Sequence, residues 1–285
     1  MNATKTVFIA GITGNQGGAV AKYQLATGNT IIGLTRNTES QKAMDLKAKG
    51  VTLVQGDLRH PDTYRSDLNK ADVAFLMQTL QPKNQEIQEG KIFIDAIDPE
   101  KGTHLVYSSV LGADLNTGIP HFDSKFELEN YIRSKNIDHT ILRPASFYEN
   151  HLMPRVASDI RKGKYVSPLK RTCTQQMIGI DDIGKIASSV IGQSEKYKGQ
   201  IIPMATDEWV IGDLPQAFSE TIGKPVKYKM LPGLITRLAL GRDLSKMFRY
   251  MNKHDFKVVD NVQAVRDEFS ISGDLKTWIG EHFGN

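Results

Sequence analysis

The chain has 285 residues, 40% apolar and 24% charged, an ordinary globular composition that excludes disordered, collagen-like and disulfide-scaffold proteins. Its net charge is +4, and nine Lys or Arg from Lys224 to Lys257 face only Asp243 and Asp255, so an excess of +7 sits in one segment and the remainder is mildly acidic. The single cysteine, Cys173, excludes an intramolecular disulfide and a multi-cysteine zinc site; no apolar run approaches the roughly 20 residues of a membrane span and no leader pattern is visible, so a soluble, cytoplasmic protein is expected.

In chain order, Thr6–Ala10 (TVFIA) is a short apolar run ending in glycine, suited to a strand buried on both faces. A helix over Gly17–Ala26, a strand over Thr30–Thr35, a polar helix over Glu39–Lys49 and a strand over Val51–Val54 follow, the last closed by Gly56-Asp57-Leu58. Val73–Met77 reads as a fourth strand, and Lys83–Ile97 as a helix with apolar positions at Ile87, Ile92, Phe93, Ile94 and Ile97. His104–Tyr107, Phe122–Ser134 and His139–Leu142 supply a fifth strand, a helix and a sixth strand stopping at Arg143-Pro144. Such alternation predicts an α/β fold with a doubly wound, Rossmann-type parallel sheet. Beyond Pro144 the rhythm loosens among prolines 154, 168, 203, 215, 225 and 232. The expected division is a nucleotide-binding domain over 1–150 and a smaller mixed α/β lobe over 151–285 that depends on the first for its stability.

Gly11-Ile12-Thr13-Gly14-Asn15-Gln16-Gly17-Gly18 follows the first strand and opens the first helix. Glycines here permit a tight turn, close approach of backbone N–H groups to a pyrophosphate, and tight helix–strand packing. The exposed N–H groups and the helix dipole favour an anion. A plain strand-to-helix turn is the bland alternative. At the end of the second strand a carboxylate would select NAD and a base would select NADP. The sequence there is Leu34-Thr35-Arg36-Asn37, with no acid before Glu39, so Arg36 can pair with a 2′-phosphate and NADP is expected. A solvated arginine is the other reading.

GITGNQGG after strand one, LTRN after strand two, QGDL after strand three, LVYSS on strand five, HFDSK opening a helix and ILRPASFYEN after strand six together resemble the NmrA-like family, atypical members of the short-chain dehydrogenase/reductase superfamily. Classical members of that superfamily use a Tyr-x-x-x-Lys pair, with a serine about 13 residues upstream. The matching positions here are His121 and Lys125, with Ser108 and Ser109 at the serine distance. Spacing of i, i+4 puts His121 and Lys125 on one helix face. The lysine is retained and the phenol is absent. An imidazole can donate a proton near neutral pH, but a lysine cation beside it disfavours the charged form. His121 is therefore either a weak acid or a helix-start residue on a pocket wall.

Carried over residue by residue, the resemblance implies a phosphate loop of Gly11, Thr13, Gly14, Asn15, Gln16 and Gly17, with Arg36 on the 2′-phosphate. Asp57 and Leu58 would flank the adenine; Met77, Gln78 and Thr79 would pass the nicotinamide-side ribose. Lys91 matches a family lysine, although a solvated helix lysine explains it nearly as well. Ser108 and Lys125 would face the nicotinamide ribose, Ala145 and Phe147 the nicotinamide, and Tyr148 and Asn150 the substrate side. The family includes histidine-bearing members that bind NADP(H) and act through partners as redox sensors. It also includes quinone and phenylpropanoid reductases in which the lysine is catalytic. The expectation is an NADP(H)-binding regulatory protein, with an NADPH-dependent reductase of quinones or activated double bonds as the alternative.

The basic segment 224–257 holds an amphipathic pattern over Leu234–Met251, with apolar positions Leu234, Leu238, Met247, Phe248 and Met251. It reads as a lobe helix with a solvated face, a partner surface or a lid. Nucleic acid is not expected, because no helix-turn-helix context accompanies the modest charge. No metal is expected either: the seven histidines form no H-x-x-x-H or H-E-x-x-H pattern. A G-x-S-x-G elbow is absent, which excludes the serine-hydrolase reading. Cys173 is either a thiol near cations or an inert cysteine.

Overall fold

The computed structural model describes residues 4–284. The elements are β1 (Thr6–Ala10), α1 (Asn15–Ala26), β2 (Thr30–Thr35), α2 (Gln41–Ala48), β3 (Thr52–Gln55), α3 (Arg65–Leu68), β4 (Val73–Leu76), α4 (Lys83–Ala96), β5 (His104–Ser108), α5 (Pro120–Arg133) and β6 (His139–Pro144). They continue with β7 (Ser146–Phe147), α6 (Pro154–Arg161), β8 (Lys164–Ser167), β9 (Thr174–Ile178), α7 (Ile180–Gly192), α8 (Ser194–Tyr197) and β10 (Ile201–Met204). The chain ends with β11 (Asp207–Val210), α9 (Leu214–Ile222), β12 (Lys227–Met230), α10 (Gly233–His254), α11 (Val262–Glu268) and α12 (Leu275–Phe283). Among the described residues no helix is long and apolar enough to cross a membrane.

Two compact units emerge. The first comprises residues 1–115, 120–143 and 180–203, and the second residues 116–119, 144–179 and 204–285. A single cut at 150 assigns 180–203 to the second unit, whereas in the structure that stretch packs with the first.

In the first unit, the sheet order is β10-β6-β5-β4-β1-β2-β3. The β1/β2, β1/β4, β2/β3, β4/β5 and β5/β6 pairs are all parallel. Chain order reverses between β1 and β4, the switch point at which sheets of this kind open a crevice at their carboxyl ends. The six expected strands all form, and the seventh, β10, was not read from the sequence. It lies at the sheet edge beside β6, where Gln200, the residue before β10, accepts the Ile141 N–H at 2.9 Å. The α7 helix rests on α1, where a Cβ on Gly184 would stand 2.8 Å from Ala19 O. Phe8, Tyr64, Phe93, Leu105, Tyr107 and Leu128 belong to one continuous core. Near-continuous apolar strands are what burial on both faces requires.

The second unit holds a three-stranded sheet, β11-β9-β7, and a two-stranded one, β12-β8. Its aromatic centre joins His151, Tyr165, Phe218, Trp278 and Phe283. The amphipathic pattern over Leu234–Met251 does become helical, but Gly241 (φ 81°, ψ 177°) breaks α10 into two segments. The predicted single apolar face is lost with it: Leu234 and Leu238 are 73% and 80% exposed, while Thr236, Ser245 and Met251 are buried.

Candidate functional site

The crevice side of the first unit begins with the turn between β1 and α1. Gly11 takes φ +67°, which L side chains rarely adopt, and its carbonyl accepts the Gly14 N–H at 2.9 Å. Gly17 is required for a different reason: a Cβ there would lie 2.4 Å from Gly11 O and 2.9 Å from Gly11 C. Helix α1 starts at Asn15, two residues before the predicted start, and its N-cap residue, Gly14, offers no side-chain oxygen to the first turn. The N–H groups there are left for an outside acceptor, as an anion site at a helix start requires. Thr13 is half-buried, with its hydroxyl 3.3 Å from that of Thr35 at the end of β2. Asn15 is exposed. Gln16 is buried, and its Oε1 accepts the Ser108 hydroxyl at 2.7 Å, tying the helix start to the end of β5.

One residue past β2, Arg36 is exposed and makes no ion pair or side-chain hydrogen bond among the described residues. A free guanidinium at this position is available to an anion. Beyond β3, Asp57 is engaged locally: Arg59 Nη2 lies 3.0 Å from its Oδ2, and His60 Nδ1 lies 3.1 Å from its Oδ1. The Arg59 side chain holds the Asp57 carboxyl down to about 2, against partial desolvation that opposes it. Leu58 packs on the core, and its carbonyl accepts the Tyr64 hydroxyl at 3.0 Å. After β4, Met77 abuts the loop, its sulfur 3.1 Å from where a Gly11 Cβ would stand. Thr79 is exposed.

Around Lys125 the first unit assembles a buried polar cluster. Lys125 is 8% exposed, and its Nζ forms an ion pair with Glu86 Oε1 on α4 at 2.8 Å. Glu86 is 1% exposed, and its Oε2 accepts the Ser124 hydroxyl at 2.5 Å. Gln78 is buried and donates from Nε2 to the Glu86 carbonyl at 2.7 Å. The ammonium stands 5.5 Å from the Tyr107 ring centroid. Gln78 Oε1 and Tyr107 Oη are buried here without a hydrogen-bond partner among the described residues, while Glu86 Oε1 and Lys125 Nζ have each other only as an ion pair. Burial pushes the Tyr107 phenol well above its ordinary range, and the Glu86 and Glu129 carboxylates add to the rise.

His121 is half-buried one turn before Lys125, its ring edge-on to Phe122 at 4.8 Å between centroids. The sequence suggested a lone lysine cation beside it. In the structure Glu86 meets that cation, so the pair carries no net charge. Ser109, the second serine at the expected distance, is committed elsewhere, donating to Glu129 Oε1 at 2.5 Å. Glu129 also takes Arg143 through two bonds, of 2.9 and 2.6 Å. Lys91 pairs with Glu127 at 2.8 Å on the outer side of the α4–α5 packing.

The NmrA-like family model matches residues 3–270. The chain belongs to the NmrA-like family. An NmrA-like family domain-containing protein of Dictyostelium discoideum is 25% identical over 270 residues, covering 88% of each chain. The solved NADPH complex of an NADPH-dependent quinone oxidoreductase from Escherichia coli superposes at a TM-score of 0.82 with 20% identity, over 98% of this chain and 100% of that one. NmrA, a negative transcriptional regulator solved with NADP, superposes at 0.79 with 20% identity, over 98% and 95% of the two chains. The same regulator has been solved with NAD. Regulators and reductases thus share the fold of this NmrA-like chain.

The remaining expected residues belong to the second unit. Ala145 is buried and donates its N–H to Met204 O at 2.8 Å. Phe147 is half-buried on β7. Tyr148 is buried, its hydroxyl 3.3 Å from Asp207 Oδ2, and Asn150 is exposed with its Nδ2 3.3 Å from Ser146 Oγ. Sequence reading missed Glu86, Ser124 as its hydrogen-bond donor, and Tyr107. Ser124 adjoins the motif lysine, but no spacing rule links Glu86 to a lysine 39 positions later; only the α4–α5 packing joins them.

Proposed function

We propose that this NmrA-like chain binds a nicotinamide dinucleotide, NADP(H) in preference to NAD(H), and reports its redox state as a regulatory protein. The observation that carries the cofactor reading is the Gly17 cradle at the uncapped start of α1, with unpaired Arg36 at the end of β2. The loop N–H groups bind the diphosphate, aided by the helix dipole. Arg36 takes the 2′-phosphate, while Asp57 and Leu58 flank the adenine. Lys125, one turn after His121 on α5 and held in place by Glu86, fits a ribose hydroxyl. Met77 and Gln78 line the path between the two ends.

When bound, NADPH supplies a hydride. Reduction of a simple ketone also needs a proton donor beside the acceptor oxygen. The position one turn before Lys125 holds His121, and Tyr107, the phenol near the ammonium, is sealed in the core with its acidity suppressed. That favours the sensing role. The second reading, an NADPH-dependent reductase of quinones or activated double bonds, is favoured by the buried Lys125 itself. Such acceptors take a hydride without a dedicated phenol.

NADPH titration followed by a turnover panel of quinone, enone and aldehyde acceptors separates the readings. Stoichiometric binding without turnover is expected for the sensor. Turnover that Lys125→Ala abolishes even at NADPH concentrations that saturate the variant would establish the reductase. Absence of NADPH binding would overturn both.

A further inference from the structure

Lys125 presents a physical problem that its motif does not solve. An ammonium this deeply buried favours loss of its proton unless a counter-charge meets it, because desolvation penalises the charged form. Glu86 is that counter-charge, 2.8 Å away on a different helix. It is itself fixed from two sides. Ser124 donates to its free oxygen at 2.5 Å, and Gln78 clamps its backbone carbonyl at 2.7 Å. Tyr107 sits below the ammonium and closes the sheet side, where a ring face adds cation–π attraction without consuming a donor. Glu86 therefore meets the ammonium's charge directly, from a helix other than the lysine's own.

We propose that Glu86 is the positioning residue of this site, meeting the charge of Lys125 and fixing the place of its ammonium so that the lysine can meet a nucleotide hydroxyl. The target hydroxyl rests on the dinucleotide reading above; the pairing of Glu86 with Lys125 does not. Other charged groups around this helix are committed or separate. Lys83 and Lys91 on α4 pair with Asp123 and Glu127, and Glu129 pairs with Arg143. Tyr107 faces Lys125 from β5, and His121 lies one turn away on Lys125's own helix.

Glu86→Gln keeps the shape and an oxygen for Ser124 but removes the charge, so the buried lysine should lose its proton at lower pH than in the unmodified protein. A native lysine that binds fewer protons than the unfolded one makes stability rise with pH. The ligand-free E86Q protein should then show a thermal midpoint that rises relative to wild type by roughly 3–6 °C between pH 7 and 9.5. Its NADPH dissociation constant should stay within about threefold of wild type at pH 6 and weaken at least tenfold more than wild type by pH 9. The E86Q/K125M double variant should lose both pH dependences. E86Q curves parallel to wild type in both measurements would overturn the proposal.

If E86Q fails to fold, the double variant decides. Restored folding marks Glu86 as the partner of the lysine charge, and failure to fold would show that Glu86 acts through Ser124 and packing alone. If wild type binds no NADPH, the dinucleotide reading falls, and the thermal midpoints still decide the pairing.

Discussion

The glycine loop after β1 and the Lys125 cluster lie in the same unit and are built by opposite means. The loop is made of backbone: Gly11 supplies a left-handed turn, Gly17 supplies the absence of a side chain, and α1 supplies uncapped N–H groups. Its residues are neighbours in sequence, so the geometry follows from local rules. The Lys125 cluster is made of side chains from β4's exit, α4, β5 and α5, each buried and each dependent on another. A backbone site tolerates change everywhere except at the residues whose missing atoms define it. A side-chain site fails when any one partner is withdrawn.

That contrast can be broken experimentally. The largest effect is expected for Lys125→Met, which leaves Glu86 buried without its cation. Removing one partner of a buried pair costs about 3–5 kcal/mol, read by chemical denaturation; a change below about 1 kcal/mol would place the pair in water and defeat the contrast. Gly17→Ala should come next. The added Cβ forces the loop from the helix start, costing about 1–3 kcal/mol of overpacking strain, with NADPH binding lost in calorimetry.

Arg36→Ala sharpens the comparison differently, because the exposed side chain makes no ion pair or hydrogen bond among the described residues. Unfolding stability should stay unchanged. NADPH binding should weaken by about 1.5–3 kcal/mol, the worth of charge-assisted hydrogen bonds, while NADH binding stays the same. Equal losses for both nucleotides would refute the 2′-phosphate role.

The smallest effect belongs to Asp57. Its carboxyl is depressed from 3.8 to about 2 by Arg59, so its contribution to stability is present above pH 4 and is lost as pH falls through 2. Solvent screening limits that contribution to about 0.5 kcal/mol. Thermal midpoints of Asp57→Asn and wild type should differ slightly at pH 6 and converge near pH 2.

Legibility followed the same division. The six strands from Thr6 to Pro144 were readable because apolar runs closed by turn residues need no partner to be recognised. Small shifts at their ends, such as Thr52–Gln55 against the expected Val51–Val54, reflect pairing with β2, which sets where a strand stops. Ile201–Met204 gave no such signal: a four-residue run broken by Pro203 becomes a strand only because the edge of β6 is there to bond it. In α10, periodicity predicted one apolar face, and Gly241 broke it by taking a positive φ that no spacing pattern encodes.

The sequence by itself determined the parallel sheet, the glycine loop and the motif pairing of His121 with Lys125. Each depends on residues within a few turns of one another, where covalent geometry and burial period decide. Tertiary structure alone decided that Glu86, 39 residues away, would neutralise Lys125, and that residues 180–203 would return to complete the first unit. Those outcomes depend on which surfaces meet once the chain is packed, and a buried charge selects its partner by distance in space.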